Sequence, residues 1–191
     1  MNKNIMIVGV GGQGSLLASK LLGHVVMQSG YDVKVSEVHG MAQRGGSVVT
    51  YVKYSDEKVY SPVINEGEAD IIISFEILEA ARWVPFLKKD GTLIVNDQKI
   101  SPMPVITGAA KYPEEIGDKL DRLVGDFILL DALSLAKEAG SPKAVNVVLM
   151  GVVSKIMQFS QETWQKAIEE CVPPKFLELN KKAFTLGQNY A

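Results

Sequence analysis

The chain has 191 residues, of which 47% are apolar and 22% are charged, and its formal net charge is −2. This length is typical of one domain, and the composition is that of a globular chain. The near balance of 20 basic and 22 acidic residues indicates no basic surface for nucleic acid or anionic lipid. We therefore expect a single domain over residues 1–191, with no nucleic acid and no membrane among its partners.

The single cysteine limits the redox chemistry of the chain. Cys171 can form no internal disulfide, and one thiolate cannot hold an iron–sulfur cluster, which normally needs about four. The two histidines, His24 and His39, lie far apart in the sequence, so we expect no metal site. The apolar run near the start is too short for a membrane helix and lacks a signal-peptide cleavage pattern, which favours a cytoplasmic protein.

The first forty residues predict a strand, a glycine turn, a helix and a second strand. An apolar run over 5–10 ends in glycines, apolar residues then recur at helical spacing up to Gly30, and 33–38 alternates apolar and polar residues. This order indicates a βαβ unit, which implies a parallel sheet and a right-handed crossover.

The middle of the chain departs from a plain doubly wound pattern. Residues 47–54 and 58–63 both have strand character, and only three residues separate them, so we expect an antiparallel hairpin at about 47–63. Residues 102–108 indicate a loop or short strand. The remaining pattern predicts strands at 69–75, 91–96 and 126–130, and helices at 76–87 and 112–123.

The last third of the chain is predicted to be helical. Apolar residues recur at helical spacing over 145–157, with Gly151 inside the stripe as a point of close packing, and Ser160 is a good N-cap for the next helix. Pro173-Pro174 ends that helix and starts another, faced by Phe176 among others. The fold class is therefore α/β: a Rossmann-like three-layer domain with a mostly parallel sheet, the hairpin and a helical C-terminal third.

A glycine turn follows the first strand and is the sharpest motif in the chain. A Gly-x-Gly-x-x-Gly pattern at a strand end that opens a helix lets backbone N–H groups approach an anion. Glu37 closes the second strand 23 residues later, where an NAD domain places its ribose-binding acid. The turn could instead permit close packing only, or bind another phosphate such as that of coenzyme A. Its residues are Gly9, Gly11, Gly12, Gln13 and Gly14.

A second motif spans residues 36–47 and follows the second strand. It therefore lies at the carboxyl edge of the sheet, where open α/β sheets bind their ligands. His39 can move a proton near neutral pH and Arg44 can grip a phosphate or carboxylate; the segment could equally pack on the glycine turn or dock a subunit. We assign no catalytic residue. The candidate ligand or subunit contacts here are Glu37, His39, Gln43, Arg44, Gly45 and Gly46.

These two motifs in this order resemble the gamma-type subunit or domain of the 2-oxoacid:ferredoxin oxidoreductases. Within that group the chain is most similar to the small (beta) subunit of the indolepyruvate type. Ser61-Pro62, Ala69-Asp70-Ile71 and residues 146–151 also resemble the family, and the similarity covers essentially the whole chain.

The resemblance implies oxidative decarboxylation of a 2-oxoacid to an acyl-coenzyme A, with electrons passed to ferredoxin. In the indolepyruvate type, the large (alpha) subunit is taken to carry thiamine diphosphate with Mg²⁺ and the iron–sulfur clusters, and aryl pyruvates are the substrates. The chain has no thiamine-binding motif. We therefore expect no cofactor on this chain alone, the large subunit as partner, ferredoxin reached through the complex, and coenzyme A as co-substrate.

Two alternatives stay open. The chain could be the gamma subunit of a pyruvate, 2-oxoisovalerate or 2-oxoglutarate ferredoxin oxidoreductase, because the two motifs define the superfamily better than the substrate. It could also be a free-standing NAD-binding Rossmann protein, as the spacing of the glycine turn and Glu37 allows. The family resemblance itself implies ferredoxin and not nicotinamide.

Overall fold

The computed structural model describes residues 2–39 and 46–190. One six-stranded sheet in the order β2-β3-β1-β4-β5-β6 forms its centre. The strands are β1 (Lys3–Val10), β2 (Asp32–His39), β3 (Ser47–Ser55), β4 (Ala69–Ser74), β5 (Leu87–Asn96) and β6 (Asp126–Leu130).

Helices pack on both faces of the sheet and give three layers. Helices α1, α5, α6, α7 and α8 contribute to the core on one face, and α2 and α4 to the core on the other. The mostly parallel, three-layer α/β fold is therefore confirmed. The helices are α1 (Ser15–Gln28), α2 (Ile77–Trp83), α3 (Met103–Ile106), α4 (Ile116–Leu123), α5 (Ala132–Ala139), α6 (Val145–Ile156), α7 (Gln161–Cys171) and α8 (Leu177–Tyr190).

The predicted hairpin at 47–63 is wrong, because β3 pairs with different strands. It runs antiparallel to β1 on one side and to β2 on the other. Both edges of β3 are therefore paired, and no edge is left for residues 58–63. Residues 58–63 form no strand: Pro62 has no N–H to donate, and Val59 N donates to Asp32 Oδ2 at 2.7 Å. The real hairpin joins β2 to β3, with Asp32 opposite Ser55 and His39 opposite Val48.

Strand β3 also alters the predicted βαβ unit. Strands β1 and β2 run in the same direction, as expected, but β3 lies between them. Parallel pairing is found on the other side of β1, where it continues through β4, β5 and β6. The sheet is thus a parallel half joined to an antiparallel half at β1.

The helical C-terminal third is confirmed, and glycine sets its tightest contact. Helix α6 is buried from Val145 to Ser154 and packs against α8. A methyl group on Gly151 would overlap the carbonyl oxygen of Phe184, and one on Gly187 would overlap that of Val148. The two backbones can approach this closely only because neither residue has a side chain.

Smaller corrections concern element boundaries. Residues 102–108 contain the short helix α3 instead of a strand, and β5 begins at Leu87 instead of 91. Helix α2 ends at Trp83, and Pro85 lies in the following 3₁₀ turn Val84–Phe86. Phe176 is 46% exposed and does not belong to the buried face of α8.

Candidate functional site

The glycine turn and the end of β2 meet at the carboxyl edge of the sheet. Together they line a cavity of about 400 Å³, the first cleft. Five of the residues predicted from the sequence take part, and Ser15, Leu16 and Val48 join them. The predicted residues that line the first cleft are Gly11, Gly12, Gly14, Glu37 and His39.

The glycine turn needs glycine at defined positions. Gly12 and Gly14 have φ angles of 95° and 88°, in the left-handed region that residues with a Cβ rarely adopt. A Cβ on Gly9 would lie 2.7 Å from Gln13 Oε1 and 3.0 Å from Phe75 Cβ. The path of the backbone therefore requires glycine at these positions, independently of any ligand.

The side chain of Gln13 is engaged inside the chain. Its Oε1 accepts a hydrogen bond from Val10 N at 2.7 Å, and its Nε2 donates to Phe75 O at 3.0 Å and to Gln98 Oε1 at 3.3 Å. These bonds tie the turn to the segments that follow β4 and β5. Gln13 therefore holds the shape of the turn and offers no free amide group to a ligand.

Glu37 connects three elements beside the first cleft. Its Oε2 accepts hydrogen bonds from Ser15 Oγ at 3.0 Å and from the buried Thr50 Oγ1 at 3.1 Å. Its Oε1 lies 3.7 Å from His39 Nδ1, and the imidazole is more than half exposed. The carboxylate thus joins the first residue of α1 to β2 and β3.

The position of Glu37 disfavours the NAD interpretation. In a dinucleotide-binding domain the strand that carries the ribose-binding acid is adjacent to the first strand. Here β3 separates β2 from β1, which places Glu37 two strand spacings away, about 10 Å. One of the two carboxylate oxygens of Glu37 already accepts from both Ser15 and Thr50.

The return of the hairpin to the sheet is fixed at two points. Gly46 O accepts a hydrogen bond from Gly11 N at 3.0 Å, which joins the second motif directly to the glycine turn. Ser47 Oγ donates to Glu79 Oε2 at 2.5 Å, and Glu79 is buried. The predicted contacts Gln43, Arg44 and Gly45 lie outside the described residues.

A second cleft of about 490 Å³ lies on the other side of the glycine turn. Gln98 and Lys143 line it, and no sequence motif marks either residue. Gln98 Oε1 accepts from Gln13 Nε2 and, at 3.1 Å, from Asn96 Nδ2. These two donors fix the orientation of the amide, and none of the described residues accepts a bond from Gln98 Nε2. The second cleft is lined by Gly12, Gln13, Gly14, Gln98, Leu133, Pro142, Lys143 and Val145.

Asn146 fastens helix α6 to the glycine turn. Its Nδ2 donates to Gly14 O at 3.2 Å, and a Cβ on Gly14 would come within 2.5 Å of that nitrogen. As a result α1 and α6 both begin beside the second cleft. Two helix N-termini, the backbone N–H groups of the turn and the Lys143 ammonium group all favour an anion there.

A buried acidic network stabilises the neighbouring helix α2. Glu76 is its N-cap and accepts hydrogen bonds from Glu79 N at 2.9 Å, Ile100 N at 3.1 Å and Tyr112 Oη at 2.5 Å. Burial and the bond to Glu76 raise the pKa of Tyr112 well above its usual value. The tyrosine therefore stays protonated and holds its segment on α2.

The described residues contain neither a metal-binding cluster nor a membrane-spanning helix. Within residues 2–39 and 46–190, no cluster of three or more His, Cys, Asp or Glu side chains could hold a metal ion. Across the same ranges, no helix has the length and apolar character needed to span a bilayer.

The fold and the motifs agree with the comparison with known families. The family model described as pyruvate ferredoxin/flavodoxin oxidoreductase matches residues 4–190, and the chain belongs to this family. Two curated relatives are both called indolepyruvate oxidoreductase subunit IorB. The chain is 44% identical to that of Thermococcus kodakarensis and 45% identical to that of Pyrococcus horikoshii, with 96% of this chain and 93% of each relative covered.

A more distant relative and a solved structure also match nearly the whole chain. The chain is 27% identical to the pyruvate/ketoisovalerate oxidoreductases common subunit gamma of Thermococcus kodakarensis, over 92% of this chain and 89% of that protein. The crystal structure of pyruvate oxidoreductase subunit PORC from Thermotoga maritima superposes with a TM-score of 0.76 at 21% identity, covering 99% of this chain and 96% of that one. The family resemblance drawn from the two motifs is therefore confirmed.

Proposed function

We propose that this chain is the small subunit of an indolepyruvate-type 2-oxoacid:ferredoxin oxidoreductase. Such a complex oxidatively decarboxylates indolepyruvate and other aryl pyruvates, forms the acyl-coenzyme A and passes electrons to ferredoxin. The observation that carries this proposal is the identity of 44–45% over nearly the whole length of two IorB relatives. The 27% identity to a pyruvate/ketoisovalerate gamma subunit makes that alternative the weaker one.

The redox groups of the proposed complex belong to a larger partner subunit. The iron–sulfur clusters would reside there because this chain has one cysteine, and thiamine diphosphate with Mg²⁺ because the sequence has no thiamine-binding motif. Burial raises the pKa of the Cys171 thiol, which disfavours the thiolate form that metals bind. Electron transfer would therefore run through the partner to ferredoxin.

The role proposed for this chain is to bind a phosphate group of coenzyme A at the second cleft. The turn residues Gly12 and Gly14 supply backbone N–H groups, Lys143 supplies a positive charge, and Gln98 Nε2 is an oriented donor. A phosphate suits this set because each of its oxygens can accept from several donors. The first cleft, with Glu37 and His39, lies on the other side of the same turn.

Reconstitution tests the proposed function. The chain is co-expressed with the large subunit of its oxidoreductase, and reduction of a viologen dye is measured with indolepyruvate, pyruvate, 2-oxoisovalerate and 2-oxoglutarate in the presence of coenzyme A. We expect a stable complex that prefers the aryl pyruvate. A complex that prefers pyruvate or 2-oxoglutarate would move the chain to the alternative gamma-type enzymes, and failure to form a complex would refute the proposal.

A further inference from the structure

Half of one sheet face carries no helix in the described part of the chain. On the face shared by α2 and α4, helix α2 packs on β1, β4 and β5, and α4 packs beside it and on β6. Over β2 and β3 that face carries the segment 56–66, which is neither helix nor strand and contacts Asp32 and Lys53. Its Val59 and Ile64 are buried. We call the rest of this half the open face. It consists of Lys34, Ser36, Val38, Tyr51 and Lys53, with Tyr60 and Val63 at its margin.

The open face and the segment at its margin expose three large apolar side chains. Val38 is 53% exposed, and Val63 and Tyr60 on the crossing segment are 54% and 84% exposed. Tyr51 is half-buried and packs against the core on this side. Apolar side chains exposed on one surface are typical of interaction sites, and tyrosine is enriched in them.

In the described part of the chain, the two lysines of the open face make only long contacts to their partners. Lys34 and Lys53 lie directly opposite each other on β2 and β3, and like charges in that position destabilise a sheet. Lys34 Nζ lies 3.5 Å from Asp32 Oδ1, and Lys53 Nζ lies 3.4 Å from Val63 O. Both contacts are longer than the 2.7–2.9 Å or so of a good charge-assisted hydrogen bond.

Two carboxylates near these lysines also accept hydrogen bonds from backbone N–H groups. Asp32 Oδ2 accepts from Val59 N at 2.7 Å, and this bond is the main reason that the pKa of Asp32 is lowered. Glu68 Oε2 accepts from the backbone and side-chain nitrogens of Asn65 at 3.0 and 3.2 Å. Asp32 is thus shared between Lys34 and Val59 N, and a carboxylate from another chain would add a partner for the lysine pair.

We propose that the open face docks a helix of the larger subunit, whose apolar side chains cover Val38 and Val63 and whose carboxylate binds between Lys34 and Lys53. This inference rests on the proposed function, which supplies the larger subunit. A helix at this place would complete the layer that α2 and α4 begin, because a sheet face buries its apolar side against helices in this architecture. A carboxylate there would also remove the repulsion between the two lysines.

Charge reversal in the co-expressed complex tests the docking surface. The variant Lys34→Glu/Lys53→Glu would place two new carboxylates beside the partner's carboxylate, where the proposal expects opposite charges. Its matched control is Lys155→Glu/Lys166→Glu, which makes the same charge change on exposed positions of α6 and α7, against the other sheet face. Thermal unfolding of each free chain shows whether the fold survives.

We expect the open-face variant to weaken assembly by at least tenfold, as measured by titration of the large subunit, and the control to change it less than threefold. Hydrogen exchange should also slow in 33–38 and 48–53 when the wild-type complex forms. Unchanged assembly of the open-face variant would overturn the docking proposal and leave the proposed function intact. If the wild-type chain does not assemble with the large subunit, both the docking proposal and the proposed function are overturned. If the chain forms a homodimer that the variant disrupts while the complex is unaffected, the open face binds a second copy of this chain and the docking proposal is wrong.

Discussion

Ser47 Oγ donates to Glu79 Oε2 at 2.5 Å and thereby fixes the start of β3 to helix α2. On the opposite face of the sheet, Glu37 accepts from Thr50 and Ser15 and fixes the end of β2 to the start of α1. The two stems of the β2–β3 hairpin are therefore held by carboxylates on opposite faces. This double attachment keeps Gly46 in place, and Gly46 O in turn holds Gly11 N.

Removal of Glu79 is expected to destabilise the chain. The variant Glu79→Ala leaves the Ser47 hydroxyl group without its acceptor and creates a small cavity, so we expect the free energy of unfolding to fall by about 2 kcal/mol. The variant Glu79→Gln retains an acceptor oxygen and should cost less than half as much. Urea unfolding followed by circular dichroism measures both, and equal losses would mean that the bond to Ser47 contributes little.

The glycine turn offers a matched pair of substitutions. Gly12→Ala introduces a Cβ at a left-handed position with open space around it, so backbone strain alone should cost about 1–2 kcal/mol. Gly14→Ala carries a similar strain, and its Cβ also meets Asn146 Nδ2. We therefore expect Gly14→Ala to be the more destabilising of the two in thermal unfolding. The reverse order would contradict the close packing of α6 on the turn.

The second cleft predicts an effect on coenzyme A and not on the 2-oxoacid. In the reconstituted complex, Lys143→Ala should raise the KM for coenzyme A about tenfold, because a charge-assisted phosphate contact is lost. The KM for the 2-oxoacid should stay the same. Gln98→Ala should have a smaller effect in the same direction, and Lys155→Ala, at an exposed position of α6, is the control. An unchanged KM for coenzyme A in Lys143→Ala would remove the cleft from the proposed function.

Glu37 is expected to support the structure and not to bind NAD. The variant Glu37→Ala removes the acceptor of both Ser15 and the buried Thr50, so we expect a loss of about 1–3 kcal/mol in unfolding free energy. Calorimetry of the unmodified chain with NAD and NADP should give no binding heat. A micromolar affinity for either nucleotide, abolished in Glu37→Gln, would restore the dinucleotide interpretation.

The N-cap of α5 predicts a small dependence of stability on pH. Hydrogen bonds from Ser134 lower the pKa of Asp131 below its usual value. The cap therefore contributes stability above the unfolded-state pKa near 4, and that contribution is lost as pH falls through the lower folded-state pKa. In the variant Asp131→Asn, the share of the acid-induced loss of unfolding free energy that comes from the Asp131 carboxyl group should disappear. Asp90→Asn, at an exposed position of β5, serves as the control, and equal acid profiles for the two variants would contradict the role of the cap.

Local patterns in the sequence predicted what depends on local physics. The strand at 126–130 matches β6, and Ser160 caps α7 by accepting from Thr163 N at 3.1 Å. The glycine turn was located because its φ requirements are visible as glycines. These features depend on neighbours within a few residues.

Long-range contacts explain what the sequence did not predict. The short separation between 47–54 and 58–63 suggested a hairpin, but pairing was decided by β1 and β2, which occupy both edges of β3. Gln98 reaches the glycine turn through a bond to Gln13 that spans 85 residues, and nothing in its local sequence marks it. The local sequence does not mark Lys143 either, because only the packing of α6 places this residue at the second cleft.

Strand β3 has a further consequence for the geometry of an assembled enzyme. It begins beside Gly46, which bonds to the glycine turn, and reaches Lys53 on the open face about 20 Å away. It is hydrogen-bonded to neighbours on both sides along this length, so no hinge separates its two ends. A protein bound at Lys53 is therefore held at a fixed distance and angle from the two clefts. The strand acts as a rigid spacer between the open face and the glycine turn.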